Sequence, residues 1–183
     1  MDNKNTDKNN FEYITINNYD QIVLQENTLL VMDFDDTIIH YPYIDSNWWG
    51  DTSTEYAKKD PETAEIKTYN DWMEIIIKHK ARMLDAEEFN KLLLLVKNTN
   101  STIVIVTARH TRLTRLTYNE LKDCGIYNDI EQVYFSNKKG SAIKQIKHNH
   151  KHIVFVDDKI SNIDHVKYYN PEATVYHINH INL

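Results

Sequence analysis

Four short apolar runs, each closed by a residue capable of chemistry, constrain this chain more than any other feature. Leu29-Leu30-Val31-Met32 ends in Asp33, Ile103-Val104-Ile105-Val106 in Thr107, Val133-Tyr134-Phe135 in Ser136, and Ile153-Val154-Phe155-Val156 in Asp157. Thr174-Val175-Tyr176 is a weaker fifth. A strand with one wet face alternates apolar and polar residues. One covered on both faces is apolar throughout, as in a parallel sheet between helices. Helical spacing fills the intervals. Trp72, Ile75, Ile76, His79 and Met83 share one face, as do Phe89, Leu92, Leu93 and Val96. Thr111 to Cys124 reads as a helix closed by Gly125, and Ala142 to His148 as a shorter one. Asp85 with Glu88, and Ser161 with Asp164, have capping-box spacing. Phe11–Ile16 reads as a short strand and Tyr19–Gln25 as a short helix. Alternating strands and helices predict a Rossmann-like, doubly wound α/β fold with right-handed crossovers.

The 183 residues fit one domain with a small insertion. Residues 1–10 are almost wholly polar and read as a disordered tail, with a single domain over 11–183. Residues 38–70 break the rhythm directly after the first strand. They carry Trp48, Trp49 and Gly50 followed by charged sequence, and read as a cap or flap above the sheet. Net charge is −6, from 21 basic and 27 acidic side chains, which disfavours general nucleic-acid binding because phosphate-backbone affinity needs clustered Lys and Arg. Cys124 is the single cysteine, so no intrachain disulfide forms. With no secretory signal and no apolar run near the roughly 18–20 residues of a membrane span, the expectation is a soluble cytoplasmic protein.

Ligands of open parallel sheets bind beyond the carboxyl ends of the strands. Here those ends deliver Asp33-Phe34-Asp35-Asp36-Thr37, Thr107-Ala108-Arg109, Lys138-Lys139-Gly140 and Asp157-Asp158. Five carboxylates crowded at one sheet edge repel and raise one another's pKa values. A hard cation relieves this, and carboxylates shared with water and a phosphate oxygen suit Mg²⁺. With a lysine and a hydroxyl added, the set has the parts of phosphoryl transfer: a carboxylate to attack phosphorus, and cations to neutralise its oxygens.

These motifs, in this order and on these elements, resemble the haloacid dehalogenase (HAD) superfamily. Asp33-Phe34-Asp35-Asp36-Thr37 is similar to its DxDxT signature, Thr107 to its second motif, Lys139 before Gly140 to its third, and Val156-Asp157-Asp158 to its fourth. Together they span residues 29–158. Thr107-Ala108-Arg109, Thr117, Leu121 and Gly125-Ile126 also look like a sparsely characterised HAD-like subgroup. The resemblance implies a phosphatase in which Asp33 forms an aspartyl-phosphate and Asp35 is the general acid/base. Thr107 and Lys139 would hold phosphoryl oxygens. Mg²⁺ would be bound by Asp33, the Asp35 backbone carbonyl and Asp158, with Asp157 assisting directly or through water. Asp36 departs from the pattern, standing where many members have glycine.

Several assignments stay open at this level. Lys138 competes with Lys139 for phosphate. Arg109 either contacts a substrate anion or pairs with a carboxylate to orient its loop. Trp48 and Trp49 stack over a substrate or anchor the cap, and Thr37 and Ala108 lie near enough in sequence to line the substrate. His148, His150 and His152 alternate and would share one face if extended. His79 reads as a core or boundary residue, His110 as structural or exposed, and Cys124 as buried packing. For substrate, a nucleotide or other small phosphorylated metabolite leads. The alternatives are nucleic-acid ends or phosphoprotein, favoured by Lys138, Lys139, Lys144 and Lys147, and a catalytically idle HAD domain that only binds.

Overall fold

The computed structural model describes residues 11–44, 47–147 and 150–179. Its elements, in chain order, are β1 (Ile14–Ile16), β2 (Thr28–Met32), β3 (Ile39–His40), α1 (Trp48–Ala57), α2 (Ala64–Lys78), β4 (Arg82–Met83), α3 (Ala86–Asn98), β5 (Thr102–Thr107), α4 (Thr114–Asp123), β6 (Gln132–Phe135), α5 (Lys139–Ile146), β7 (His152–Asp157), α6 (Ile160–Tyr169) and β8 (Thr174–Ile178). Six strands form one sheet in the order β1-β8-β7-β2-β5-β6, every pair parallel.

The apolar runs owe their lack of alternation to two separate cores. Leu30, Met32, Ile103, Ile105, Val154 and Val156 face a layer containing Phe89, Leu92 and Leu93 of α3 and Leu121 of α4. The intervening Leu29, Val31, Val104, Val106, Ile153 and Phe155 face Ile143 of α5 and Ile163 and Val166 of α6. Each strand residue therefore has an apolar layer to meet, whichever way it points. This is the expected doubly wound α/β architecture.

The helix boundaries follow local chemistry, with corrections. Asp85 Oδ1 accepts the Glu88 N–H at 2.9 Å, capping α3 as its spacing predicts. Gly125 closes α4 with a φ of 76°. The face expected to run to Met83 stops at Lys78, and Met83 pairs with Ile39 in a two-stranded ribbon. The Ser161–Asp164 capping box does not form: α6 begins at Ile160 with both residues inside it. The real anchor is Asp157, whose Oδ1 accepts the Lys159 N–H at 2.8 Å and the Asn162 Nδ2–H at 2.9 Å. Helix α5 starts at Lys139, three residues before Ala142, while its expected end at His148 lies outside the described residues. The expected helix at Tyr19–Gln25 is one 3₁₀ turn, Tyr19–Gln21. The tail expected over residues 1–10 also lies outside the described residues.

After β2 the chain leaves the sheet through β3 and returns through antiparallel β4, carrying α1 and α2 between them. The excursion thus runs well past residue 70. Trp72, Met73 and Ile76 of α2 join the core that holds Phe34, Ile38 and Tyr41, which seats it on the β3 side of the sheet edge. No helix among the described residues is long and apolar enough to cross a membrane.

Candidate active site

Strand register builds the site. Met32 pairs with Ile105 on one side and Val156 on the other, so the next residues, Asp33 and Asp157, emerge side by side at the carboxyl edge. The Asp33 N–H donates to the Val156 carbonyl at 3.0 Å and continues the ladder for one residue. β2 is also the strand at which the order turns: β5 and β6 extend one way, β7 and β8 the other. Ligand crevices open at such a point.

Lys139 occupies the space between the two aspartates. Its ammonium lies 2.6 Å from Asp33 Oδ1 and 2.7 Å from Asp157 Oδ2, and the side chain is only 1% exposed. Burial works against the Lys139 charge, but Asp33 and Asp157 outweigh it and hold its pKa above the ordinary value. Of the two neighbouring lysines, Lys139 is the one that lies beside Asp33. Lys138 is exposed and makes no ion pair among the described residues. Lys139 is placed by its neighbour: Gly140 N–H donates to His165 Nδ1 at 3.0 Å, and a Cβ at Gly140 would stand 2.3 Å from the His165 carbonyl oxygen. Only glycine lets α5 come this close to α6.

Oxygens of Asp33, Asp157 and Asp158 all lie within 4.8 Å of one another. Burial raises the Asp33 and Asp158 pKa values well above the carboxylate range; Asp157 and Asp35 add to the rise at Asp33, and Asp33, Asp157 and Asp36 at Asp158, opposed by Lys139 at Asp33 and by Lys159 at Asp158. Three carboxylates and one ammonium sum to −2 when all are ionised, a deficit that a divalent cation matches. The donor sets differ in availability. Both Asp157 oxygens are engaged by Lys139, Asn162 and the Lys159 N–H. Asp158 is held only loosely, by Thr37 Oγ1 at 3.5 Å. Asp33 and Asp158 are therefore the residues with oxygen to offer a metal, and Asp157 orients Lys139. The alternating histidines show no such grouping: His148 lies outside the described residues, and this aspartate trio is the only metal-competent cluster among them.

Asp35 has a different cationic partner. Arg109 grips it with Nε–H on Oδ2 at 2.9 Å and Nη2–H on Oδ1 at 2.7 Å. The remaining donors go to Thr117 Oγ1 and Glu120 from Nη1, and to the Tyr41 hydroxyl from Nη2. Arg109 is 3% exposed. A guanidinium has five N–H groups, and all five are spent inside the protein. Of the two roles open to Arg109, pairing with a carboxylate is the one its guanidinium fills here, with no N–H left over for a substrate anion. Thr37, expected to line the substrate, is likewise engaged inside the protein. It is fully buried, with Oγ1 accepting the Asp158 N–H at 3.2 Å, so it joins the β2 and β7 loops. Asp36 adopts a φ of 55°, the left-handed region where aspartate is one of few tolerated non-glycine residues; this accounts for its standing at a glycine position.

Thr107 closes β5, buried, with its hydroxyl accepting the Arg109 N–H at 3.2 Å. Ala108, Arg109 and His110 line a cavity of about 380 Å³ with Tyr69, Thr111, Phe135, Ser136 and Asn137. Trp48 is half-buried against the core and anchors α1. Trp49 is exposed, with its ring centroid 6.4 Å from those of Tyr69 and Trp72, and the Lys159 ammonium sits 5.7 Å over it. His79 is exposed against Tyr43, His110 caps the turn at Arg112, and Cys124 is half-buried.

Sequence reasoning missed Tyr41, Glu120, Lys159 and Asn162. Glu120 carried a usable signal. Leu113, Thr117, Glu120 and Leu121 recur at helical spacing and all are buried, and a carboxylate on such a face must have a cationic partner.

Residues 9–139 match the model of the protein family of unknown function DUF2608. The chain belongs to this family. Among solved structures, a HAD-superfamily hydrolase from Ehrlichia chaffeensis is similar, with a TM-score of 0.52 and 16% identity, over 84% of this chain and 88% of that one. At that identity the likeness establishes the HAD fold. No curated protein matches the DUF2608 chain.

Proposed function

We propose that the protein is a Mg²⁺-dependent phosphate-monoester hydrolase working through an aspartyl-phosphate on Asp33. The observation that carries this reading is the Asp33 carboxylate, fixed at a strand end 2.6 Å from a buried ammonium, with oxygens of Asp157 and Asp158 within 4.8 Å. Asp33 Oδ attacks phosphorus; the new O–P bond forms as the ester P–O bond breaks. Asp35 gives its proton to the departing oxygen, then takes one from the water that attacks the phosphorylated Asp33, releasing inorganic phosphate. Lys139 and the Thr107 hydroxyl hold the phosphoryl oxygens. Asp33, Asp158 and the Asp35 backbone carbonyl would hold Mg²⁺, which when bound would supply the positive charge that offsets the crowded carboxylates and the phosphoryl group. The Arg109 fork takes one lone pair on each Asp35 oxygen, so proton transfer uses the remaining ones.

The cavity beside Thr107 supports a small phosphorylated metabolite, a nucleotide included, as substrate. Its volume falls within the usual few hundred Å³ of small-molecule sites, and Tyr69 and Phe135 give it aromatic walls. The basic stripe that would favour nucleic-acid ends is weakened, because Lys139 is buried and Lys147 pairs with Glu172.

The test is phosphate release from nucleoside monophosphates, sugar phosphates, an aryl phosphate, a 3′-phosphorylated oligonucleotide and a phosphopeptide, with and without Mg²⁺. Mg²⁺-dependent release, best on a small metabolite, is expected. Release only from the macromolecular members would overturn the substrate class, and Mg²⁺ binding with no release from any member would support the idle binding domain instead.

A further inference from the structure

We propose that Arg109 is a positioning residue that ties the orientation of Asp35 to the seating of the 39–83 excursion; this rests on the reading of Asp35 as the proton-transfer group. The bonding of Arg109 gathers three parts of the molecule. Asp35 follows β2, Thr117 and Glu120 lie on α4, and Tyr41 follows β3 at the base of the excursion. Its guanidinium carbon also lies 4.7 Å from the Phe34 ring centroid and 5.8 Å from that of Trp72 on α2.

Guanidinium donors lie in one rigid plane, so the edge that meets Glu120 and Tyr41 fixes the edge that meets Asp35. The Tyr41 hydroxyl completes the loop by donating to Glu120 while accepting from Nη2. Arg109, Tyr41 and Glu120 are all buried, which leaves little room for water to replace a lost partner. Moving Tyr41 or Trp72 therefore tilts the plane and takes the fork off Asp35. Among the described residues, Asp33, Lys139 and Asp157 share no hydrogen bond or ion pair with this network. Proton transfer to the leaving group thus depends on the excursion, while the nucleophile stands apart from it.

That separation has a kinetic signature. 4-Nitrophenolate departs without a proton, whereas an alkoxide needs one. kcat/KM reports the steps through leaving-group departure. For Arg109→Lys and for Tyr41→Phe, we expect kcat/KM on an alkyl phosphate to fall more than on 4-nitrophenyl phosphate, by roughly tenfold for Arg109→Lys and less for Tyr41→Phe, the same direction as Asp35→Asn. Equal losses on both substrates in both variants, as from a smaller folded fraction, would overturn the proposal. A second readout needs no turnover and guards against misfolding of Arg109→Lys. The Arg109 Nε–H, which faces Asp35 Oδ2, is followed by NMR in wild type and Tyr41→Phe. Faster solvent exchange or a shifted resonance in Tyr41→Phe is expected, and an unaltered resonance would refute the coupling. If the wild type hydrolyses neither ester, the phosphatase reading fails, and the Arg109 resonance still decides the coupling.

Discussion

Gly140→Ala offers a sharp test of how Lys139 is placed, because two effects of opposite sign compete. Alanine is the better helix former, by up to about 1 kcal/mol, and also restricts the unfolded chain. Near the first turn of α5 that gain is smaller than in a helix interior. Against it, the added Cβ would lie 2.3 Å from the His165 carbonyl oxygen, 3.0 Å from the His165 carbonyl carbon and 3.1 Å from His165 Nδ1. Ordinary contact is near 3.5 Å, so the helices must part by about 1 Å. Overpacking of this kind costs about 1–3 kcal/mol. Separation also strains two hydrogen bonds, Gly140 N–H to His165 Nδ1 at 3.0 Å and Asn170 Nδ2–H to the Gly140 carbonyl at 2.8 Å, each worth about 1 kcal/mol. The clash wins, with a net destabilisation of about 2–4 kcal/mol. Lys139 is the adjacent residue, and if it holds the phosphoryl group as proposed, a shift near 1 Å at its ammonium should lower turnover by roughly a hundredfold. Urea unfolding and phosphate release on the same sample measure both. A variant as stable and as active as wild type would refute both the close approach of α5 to α6 and the dependence of Lys139 on it.

Other perturbations separate charge from chemistry. Lys139→Met leaves Asp33 and Asp157 buried without their cation and should cost about 3–5 kcal/mol at neutral pH, less as the carboxylates are protonated at lower pH; urea unfolding at two pH values checks this. In metal-free protein, Asp33 and Asp158 keep protons to higher pH than in the unfolded chain. Between about pH 4 and about pH 8 the folded state then binds the more protons, so stability falls as pH rises through that window. Excess Mg²⁺ should flatten the decline, and thermal unfolding in chelator against Mg²⁺ would show it; stability that rises with pH in chelator would contradict the assignment. Asp158→Asn should weaken Mg²⁺ binding at least about tenfold by calorimetry. Asp35→Asn should leave binding near normal while cutting turnover by roughly 10²–10⁴.

What the sequence disclosed follows from where each signal is stored. The sheet was legible because Leu29–Met32, Ile103–Val106 and Ile153–Val156 are local, and each run records two apolar layers. Asp33, Thr107, Lys139 and Asp157 were legible as candidates because parallel strands deliver their carboxyl ends to one edge. Arg109 was not settled by sequence: its partners Asp35, Tyr41 and Glu120 come from three separate segments, and only the folded chain shows its five donors consumed. Thr37 misled for a related reason, since its hydroxyl is captured by Asp158, 121 residues away. The excursion expected over residues 38–70 continues to the strand Arg82–Met83, which is only two residues long and has no periodicity to read. Ser161 and Asp164 have the spacing of a cap, yet Asp157 already binds the first turn of α6, and a helix start needs such a partner only once.

Acid-quenched mass spectrometry during turnover addresses Asp33 most directly. On the best substrate with Mg²⁺, the peptide containing Asp33 should carry one phosphoryl group, absent without Mg²⁺ and absent in Asp33→Asn, which should also release no phosphate. Sustained phosphate release by Asp33→Asn would contradict Asp33 as the nucleophile.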